Sequence, residues 1–208
     1  MGSALDETET PQLYLTTPPA IGGGFADRLA AALDAASVAC VRLDIATRDP
    51  EALGRAADAL REVAHARDVP LVIAEHIGLV ERHGLDGVHL IDGARGVRSA
   101  RKALGGDRIV GSFSRTSRHD GMTAGEAGAD YVAFGPVRDT GLGDGTVAGR
   151  ELFAWWSEMI EVPVVAEGVD AATAAELAPV VDFVVPDVAV WEAGDVAAAL
   201  REIARLIA

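Results

Sequence analysis

The chain has one lysine, Lys102, among its 18 basic residues. Any mechanism that needs an active-site lysine therefore has a single candidate. It also has one cysteine, Cys40, so no intrachain disulfide can form, which suits a reducing compartment such as the cytoplasm. Cys40 lies in an apolar run and reads as a small buried core residue. Aromatic residues make up 5% of the chain and hydrophobic residues 50%, so the core must come from Ala, Val, Leu and Ile. No run reaches the roughly 18–20 apolar residues of a membrane span. Positive charge is scarce too: the formal net charge is −14, which disfavours nucleic acid and anionic membranes as partners. The acids are spread along the chain and read as solvated surface. Residues 1–11 lack the positive and apolar regions of a secretory signal and read as a disordered lead-in. Residues 12–208 read as one domain, with no linker inside it.

What the chain does have is a rhythm. Short β-branched runs recur at 12–16 (QLYLT), 39–43 (ACVRL), 71–74 (LVIA), 87–90 (GVHL), 108–113 (RIVGSF), 130–134 (DYVAF), 162–166 (VPVVA) and 182–185 (DFVV). Runs of this kind suit strands buried on both faces. Amphipathic stretches lie between them, most clearly at 25–36, 50–66, 94–104, 171–178 and 193–207. Asp49 before Pro50, and Asp170 before 171, suit helix caps. Alternating strands and helices imply a parallel sheet with right-handed crossovers, either a closed barrel or a doubly wound sheet. The count of eight and the even spacing favour a single-domain (β/α)8 TIM barrel. The first strand is followed by PPAIGGG, which does not fit the G-x-G-x-x-G turn of a doubly wound nucleotide-binding fold.

Active sites of such barrels sit at the C-terminal ends of the strands. The residues there are Thr16, Thr17, Asp44, Glu75, His76, Asp92, Ser112, Ser114, Arg115, Gly135, Arg138, Asp139, Thr140, Glu167, Gly168 and Asp187. The segment DYVAFGPVRDTGLGDG, 130–145, carries a strand into a glycine-rich loop. Glycines 135, 141, 143 and 145 can offer backbone N–H groups to a phosphate, Thr140 a hydroxyl and Arg138 a cation. The alternative is a solvated loop.

The sequence resembles the thiamine phosphate synthase family, including its thiazole tautomerase branch. The resemblance runs from about Leu13 to the C-terminus. It is carried by LYLTT, by VPLVIAEHIGLVERHGLDGVHL (69–90), by GADYVAFGPVRDT (128–140) and by VPVVAEGV (162–169). It implies a barrel that joins a pyrimidine pyrophosphate to a thiazole phosphate, with Mg²⁺ on the pyrophosphate. It also marks departures. Asp44 and Ala46 stand where the family has Arg-x-Lys, and Ala74, Glu75 and His76 where it has Asn-Asp-Arg. Asp92 is displaced by two from the acidic Mg²⁺ ligand. Thr140 to Gly143 replace Thr-x-Thr-Lys, Glu167-Gly168 replace paired glycines, and Arg115 falls at the tautomerase histidine.

These comparisons give the candidates. Glu75, His76, Asp92 and Arg115 are the catalytic ones. Gly135, Arg138, Thr140, Gly141, Glu167 and Gly168 are those for substrate or phosphate. Asp92 is the candidate metal ligand, and a Glu75–His76–Asp92 site is opposed by the divergent directions of adjacent strand-end residues. Asp44, Glu75, Asp92, Glu167 and Asp187 would ring the mouth with carboxylates, offset by Arg42, Arg115 and Arg138 if these point inward. His89 can be read as an acid or base, but a hydrogen-bonded core histidine is the expectation. The expected partner is a small molecule. A homodimer joins it if any of Trp155, Trp156 and Trp191 is exposed. Three functions stay open: the family's synthesis with a rebuilt site, chemistry on another small molecule by mouth carboxylates, and non-catalytic binding.

Overall fold

The structure is a computed structural model and describes residues 10–139 and 145–208. Among the described residues, eight parallel strands close into a barrel in chain order. They are β1 (Gln12–Thr16), β2 (Val38–Leu43), β3 (Leu71–Ala74), β4 (Gly87–Leu90), β5 (Ile109–Phe113), β6 (Tyr131–Phe134), β7 (Val164–Val169) and β8 (Phe183–Pro186). Strand β8 pairs with β1 and closes the ring. The helices are α1 (Phe25–Ala35), α2 (Pro50–His65), α3 (Ile77–Arg82), α4 (Val97–Leu104), α5 (Arg118–Glu126), α6 (Arg150–Met159), α7 (Ala171–Leu177) and α8 (Val196–Ile207). The (β/α)8 expectation holds, and the doubly wound alternative is excluded by the closed order. Strand β7 starts two residues later than expected and runs on through Glu167 and Gly168 to Val169, with a register irregularity between Glu167 and Val169. Of the expected lead-in, only Thr10 and Pro11 lie within the described residues.

Strand alternation sorts the apolar residues into two cores. The larger lies between strands and helices and includes Leu13, Val41, Ile73, Val88, Val132, Phe134 and Trp156. The smaller fills the barrel and includes Tyr14, Cys40, Val72, Tyr131, Val165 and Val185. Caps fix where the helices begin. The Asp49 carboxylate accepts from the Glu51 N–H ahead of α2. Asp170 and Thr173 exchange bonds in a capping box at α7. That accounts for the lowered Asp170 pKa: the Thr173 backbone N–H and hydroxyl bind its charged form.

Helices α3, α5 and α6 were not among the clearest stretches in the sequence. Helix α3 has six residues. Helix α5 buries only Gly121 and Ala124, and a Cβ on Gly121 would come within 2.7 Å of Phe134 and Trp156. A face of small residues gives little periodic signal.

One device recurs at the N-terminal end of the barrel. An aspartate precedes each of β4, β6 and β8. The carboxylates of Asp86, Asp130 and Asp182 accept from the N–H of Leu71, Val110 and Val164, each at 2.7 Å. Each aspartate also donates its own N–H to the carbonyl of the same partner. The pair of strands is thus clamped by a reciprocal bond at its lower end. The Asp182 carbonyl accepts in turn from Gln12 N–H at 3.0 Å, across the ring closure.

Candidate functional site

A cavity of about 340 Å³ opens at the C-terminal ends of β1, β2, β7 and β8. Thr16, Arg42, Asp44, Glu167, Gly168 and Asp187 supply polar lining, and Phe113, Pro136, Val185 and Pro186 apolar walls. Its floor is Arg42. The alternation of β2 puts Arg42 on the same side as Cys40, inside the barrel, where it is 5% exposed. The guanidinium makes a two-pronged pair with Glu167: Nη1 donates to Oε1 at 2.7 Å and Nη2 to Oε2 at 3.0 Å. Its Nε donates to Thr16 Oγ1 at 3.3 Å and lies 3.5 Å from Asp44 Oδ2. Burial works against the Arg42 charge, but the adjacent Glu167 carboxylate outweighs it and holds the pKa above the usual arginine value.

Beneath Arg42 lies a buried polar column. Arg42 Nη1 is 2.9 Å from His89 Nε2, His89 Nδ1 is 2.8 Å from Tyr131 Oη, and Tyr131 Oη is 2.6 Å from Tyr14 Oη. Burial, reinforced by the Arg42 charge, pulls the His89 pKa down. Burial raises the pKa of both tyrosines and pushes the Cys40 thiol up to about 12. His89 is therefore the hydrogen-bonded core residue expected, and Cys40 the inert buried thiol.

The strand-end candidates fall into separate places. Glu167, Gly168, Asp44 and Asp187 share the main cavity. Asp92 and Arg115 line a second one with Gly93, Arg95, Ser114 and Asp120. His76 lines a third with Arg48 and Arg82, and Glu75 lines none of these. The proposed catalytic set Glu75, His76, Asp92 and Arg115 is thus not gathered into one site. Both Glu75 and Arg115 sit at positive φ, 61° and 52°, so the chain turns sharply as it leaves β3 and β5.

Two of the phosphate-binding candidates have partners within the chain. The Gly135 N–H donates to the Arg115 carbonyl at 3.0 Å, so it is not free for a ligand. The need for glycine there is steric: a Cβ would stand 2.8 Å from the Glu167 carbonyl oxygen. Arg138 is taken by a short ion pair with Asp187, and its Nε lies 3.9 Å from Asp170 Oδ2. Thr140 and Gly141 lie outside the described residues, as does Gly143.

The Mg²⁺ that the resemblance implies fits poorly. Among the described residues no cluster of three or more His, Cys, Asp or Glu is placed to hold a metal ion. Asp92 and Asp120 share a cavity, but Arg95 and Arg115 line it too, and the Asp92 carboxylate pairs with Arg95 Nε at 3.2 Å. A divalent cation would compete there with two guanidinium groups.

Sequence reasoning gave Arg42 as an offsetting cation if it points inward and His89 as a core histidine, but not the column that joins them to Tyr131 and Tyr14. Arg42, His89, Tyr131 and Tyr14 come from four strands, and each reads locally as an ordinary strand residue. The available signal was the charge in ACVRL: an arginine two residues after a core cysteine faces the same side. Trp156 and Trp191 are buried, while Trp155 is half-buried, with the Arg118 guanidinium 4.7 Å from its ring centre. Among the described residues no helix is long and apolar enough to cross a membrane.

Known proteins match this geometry. A family model described as thiamine monophosphate synthase matches residues 13–193. A thiamine-phosphate synthase of Rhodospirillum centenum is 48% identical over 159 residues, covering 76% of this chain and 77% of the relative. One of Erythrobacter litoralis is 39% identical over 212 residues, covering 97% of this chain and 98% of the relative. Among solved structures, a thiamine phosphate pyrophosphorylase from Pyrococcus furiosus superposes with a TM-score of 0.83 at 23% identity, covering 96% of each chain. A 3-hexulose-6-phosphate synthase superposes at 0.71 and 20% identity, covering 95% of this chain and 100% of the other. These last two speak for the fold alone. With the family model spanning most of the barrel and full-length relatives well above 30% identity, the chain belongs to the thiamine monophosphate synthase family.

Proposed function

We propose that this family member binds a small molecule in the cavity above Arg42, and that joining the two thiamine precursors at ordinary enzyme rates is not its activity. One observation carries the reading. Arg42 and Arg138, the cations at this side of the mouth, are already bound to Glu167 and Asp187. With Asp44, and with Asp170 at 3.9 Å from Arg138 Nε, four carboxylates among the described residues face two guanidinium groups, a balance of −2. At 4 Å and an effective dielectric of about 20, two like charges repel by about 4 kcal/mol. A leaving pyrophosphate needs the opposite, donors and cations aimed at its developing charge. The replaced motif positions (Ala46, Ala74, Glu75, Glu167) point the same way. The setting that goes with this reading is cytoplasmic.

The relatives are called thiamine-phosphate synthases, so that is the activity to assay first. The purified protein is given both precursors with Mg²⁺. Turnover at no more than trace rates is expected, and enzyme-like rates would overturn the proposal. A second reading, chemistry on another small molecule, is favoured by Asp44. Its carboxylate lines the cavity, is 44% exposed and lies 3.5 Å from Arg42 Nε, so it faces whatever enters.

A further inference from the structure

The upper part of the column under the cavity, from Arg42 to Tyr131, has one permitted direction. Arginine carries donors only, so His89 Nε2 must accept from Arg42 Nη1 at 2.9 Å. A protonated imidazole would set Nε2–H against an arginine N–H, so the ring is neutral and its proton sits on Nδ1. That N–H donates to Tyr131 Oη at 2.8 Å. The Tyr131 and Tyr14 hydroxyls share the next bond at 2.6 Å, and either can donate in it. Tyr14 packs with Cys40 in the interior of the barrel. The reverse direction would need a guanidinium to accept.

All five residues are buried, between 1% and 9% exposed. The charged or titratable groups facing His89 are Arg42 and Cys40 from β2, Tyr131 from β6, Tyr14 from β1 and Glu167 from β7, its Oε1 3.6 Å from Nε2. The neighbouring strands β3 and β5 present Val72 and Gly111. The Tyr131 ring lies nearly parallel to the imidazole, with centres 5.7 Å apart, and Tyr14 meets Tyr131 edge-on at 5.6 Å. The Tyr131 ring lies directly over Gly111, where a Cβ would stand 2.1 Å from Tyr131 Cζ.

We propose that His89 is a positioning residue, locked as the Nδ1–H tautomer by Tyr131 and Tyr14, whose fixed Nε2 lone pair aims the Arg42 fork at Glu167. It gives no proton to a ligand and takes none. The interior of the barrel thereby sets the shape of the cavity floor before anything binds. Donating at Nδ1 also makes Nε2 the better acceptor, the same coupling that tunes histidines held by a second partner.

The test needs no ligand, so its result stands apart from the turnover assay. Full-length protein labelled with ¹⁵N in its histidine rings is followed by long-range ¹H–¹⁵N NMR from pH 5 to pH 8. His89 is expected to show the Nδ1–H pattern alone, without titration. An Nε2–H pattern, or a titration inside that range, would overturn the proposal. In Arg42→Met the second tautomer or a titration should appear, and an unchanged pattern would remove Arg42 from the argument and sink it. Should Arg42→Met not fold, His89→Gln and His89→Leu decide. Glutamine can accept from Arg42 and donate to Tyr131, so it should keep the Arg42 side-chain resonances near their wild-type positions, while leucine should not. Equal resonances in the two would overturn the positioning role.

Discussion

Removing the Glu167 carboxylate while keeping Arg42 should be among the most damaging single changes at the mouth. Arg42 is 5% exposed and leans on Glu167 through both prongs of its fork. Breaking a buried ion pair by deleting one partner typically costs about 3–5 kcal/mol, because the surviving charge is left in a low-dielectric place. Two features pull the figure to the lower end. The Glu167 side chain is 16% exposed, so water can reach the gap, and Asp44 stands 3.5 Å from Arg42 Nε. Glu167→Met should therefore cost about 3 kcal/mol. In a chain of this size that lowers the melting midpoint by roughly 6–12 °C. Replacing both partners should restore most of the loss, because an apolar pair needs no compensation: Arg42→Met with Glu167→Met is expected within about 1 kcal/mol of wild type. Urea unfolding of the four proteins closes the cycle, with an expected coupling of about 2 kcal/mol or more. A Glu167→Met variant within about 0.5 kcal/mol of wild type, or a double variant as unstable as the two losses summed, would refute the reasoning.

Other expectations follow from the same geometry. Since the folded-state His89 pKa is lowered, the unfolded chain takes up a proton that the folded one refuses. Stability is full above about pH 6.5 and falls below it towards the lowered value, by about 1.4 kcal/mol per pH unit. Denaturant titrations between pH 5 and 7.5 should show this slope in wild type and its loss in His89→Gln. Gly111→Ala drives a methyl into the Tyr131 ring and should cost about 3 kcal/mol or more. Shortening the ring in Gly111→Ala/Tyr131→Val should recover part of that, and a harmless single variant would contradict the packing. Asp130→Ala leaves the buried Val110 N–H without its side-chain acceptor, a loss of about 1–3 kcal/mol. Asp130→Asn, which keeps an oxygen there, should lose less, and hydrogen exchange at Val110 should rank the two in that order.

Most of the fold could be read from the chain because strand and helix periodicities are local. The runs LVIA and GVHL gave β3 and β4 to the residue, and Asp49-Pro50 gave the start of α2. Helix α3 was less legible because it has six residues, and α5 because close packing on small residues leaves no apolar stripe. The site was legible only in part. Glu167, Gly168 and Asp187 do converge, since all three end adjacent strands β7 and β8. Glu75, His76, Asp92 and Arg115 do not, because the order of strand ends gives the sequence around a ring but not which side chains turn towards its axis. Arg138 was legible as a cation but not as one already bound, since Asp187 lies 49 positions away. The Arg42–His89–Tyr131–Tyr14 column is invisible for the same reason: its bonds join residues 47, 42 and 117 positions apart only once the ring has closed.

The three aspartate clamps have a consequence for how such a protein can change. They lie at the end of the barrel away from the cavity, and each locks a pair of strands through bonds that no mouth residue shares. Closure is therefore insured independently of chemistry. A lineage can replace lysines, serines and glycines around the rim, or move an arginine into the interior, without having to solve the ring again. Substitution at the mouth is thereby uncoupled from the bonds that hold the opposite pole of the ring.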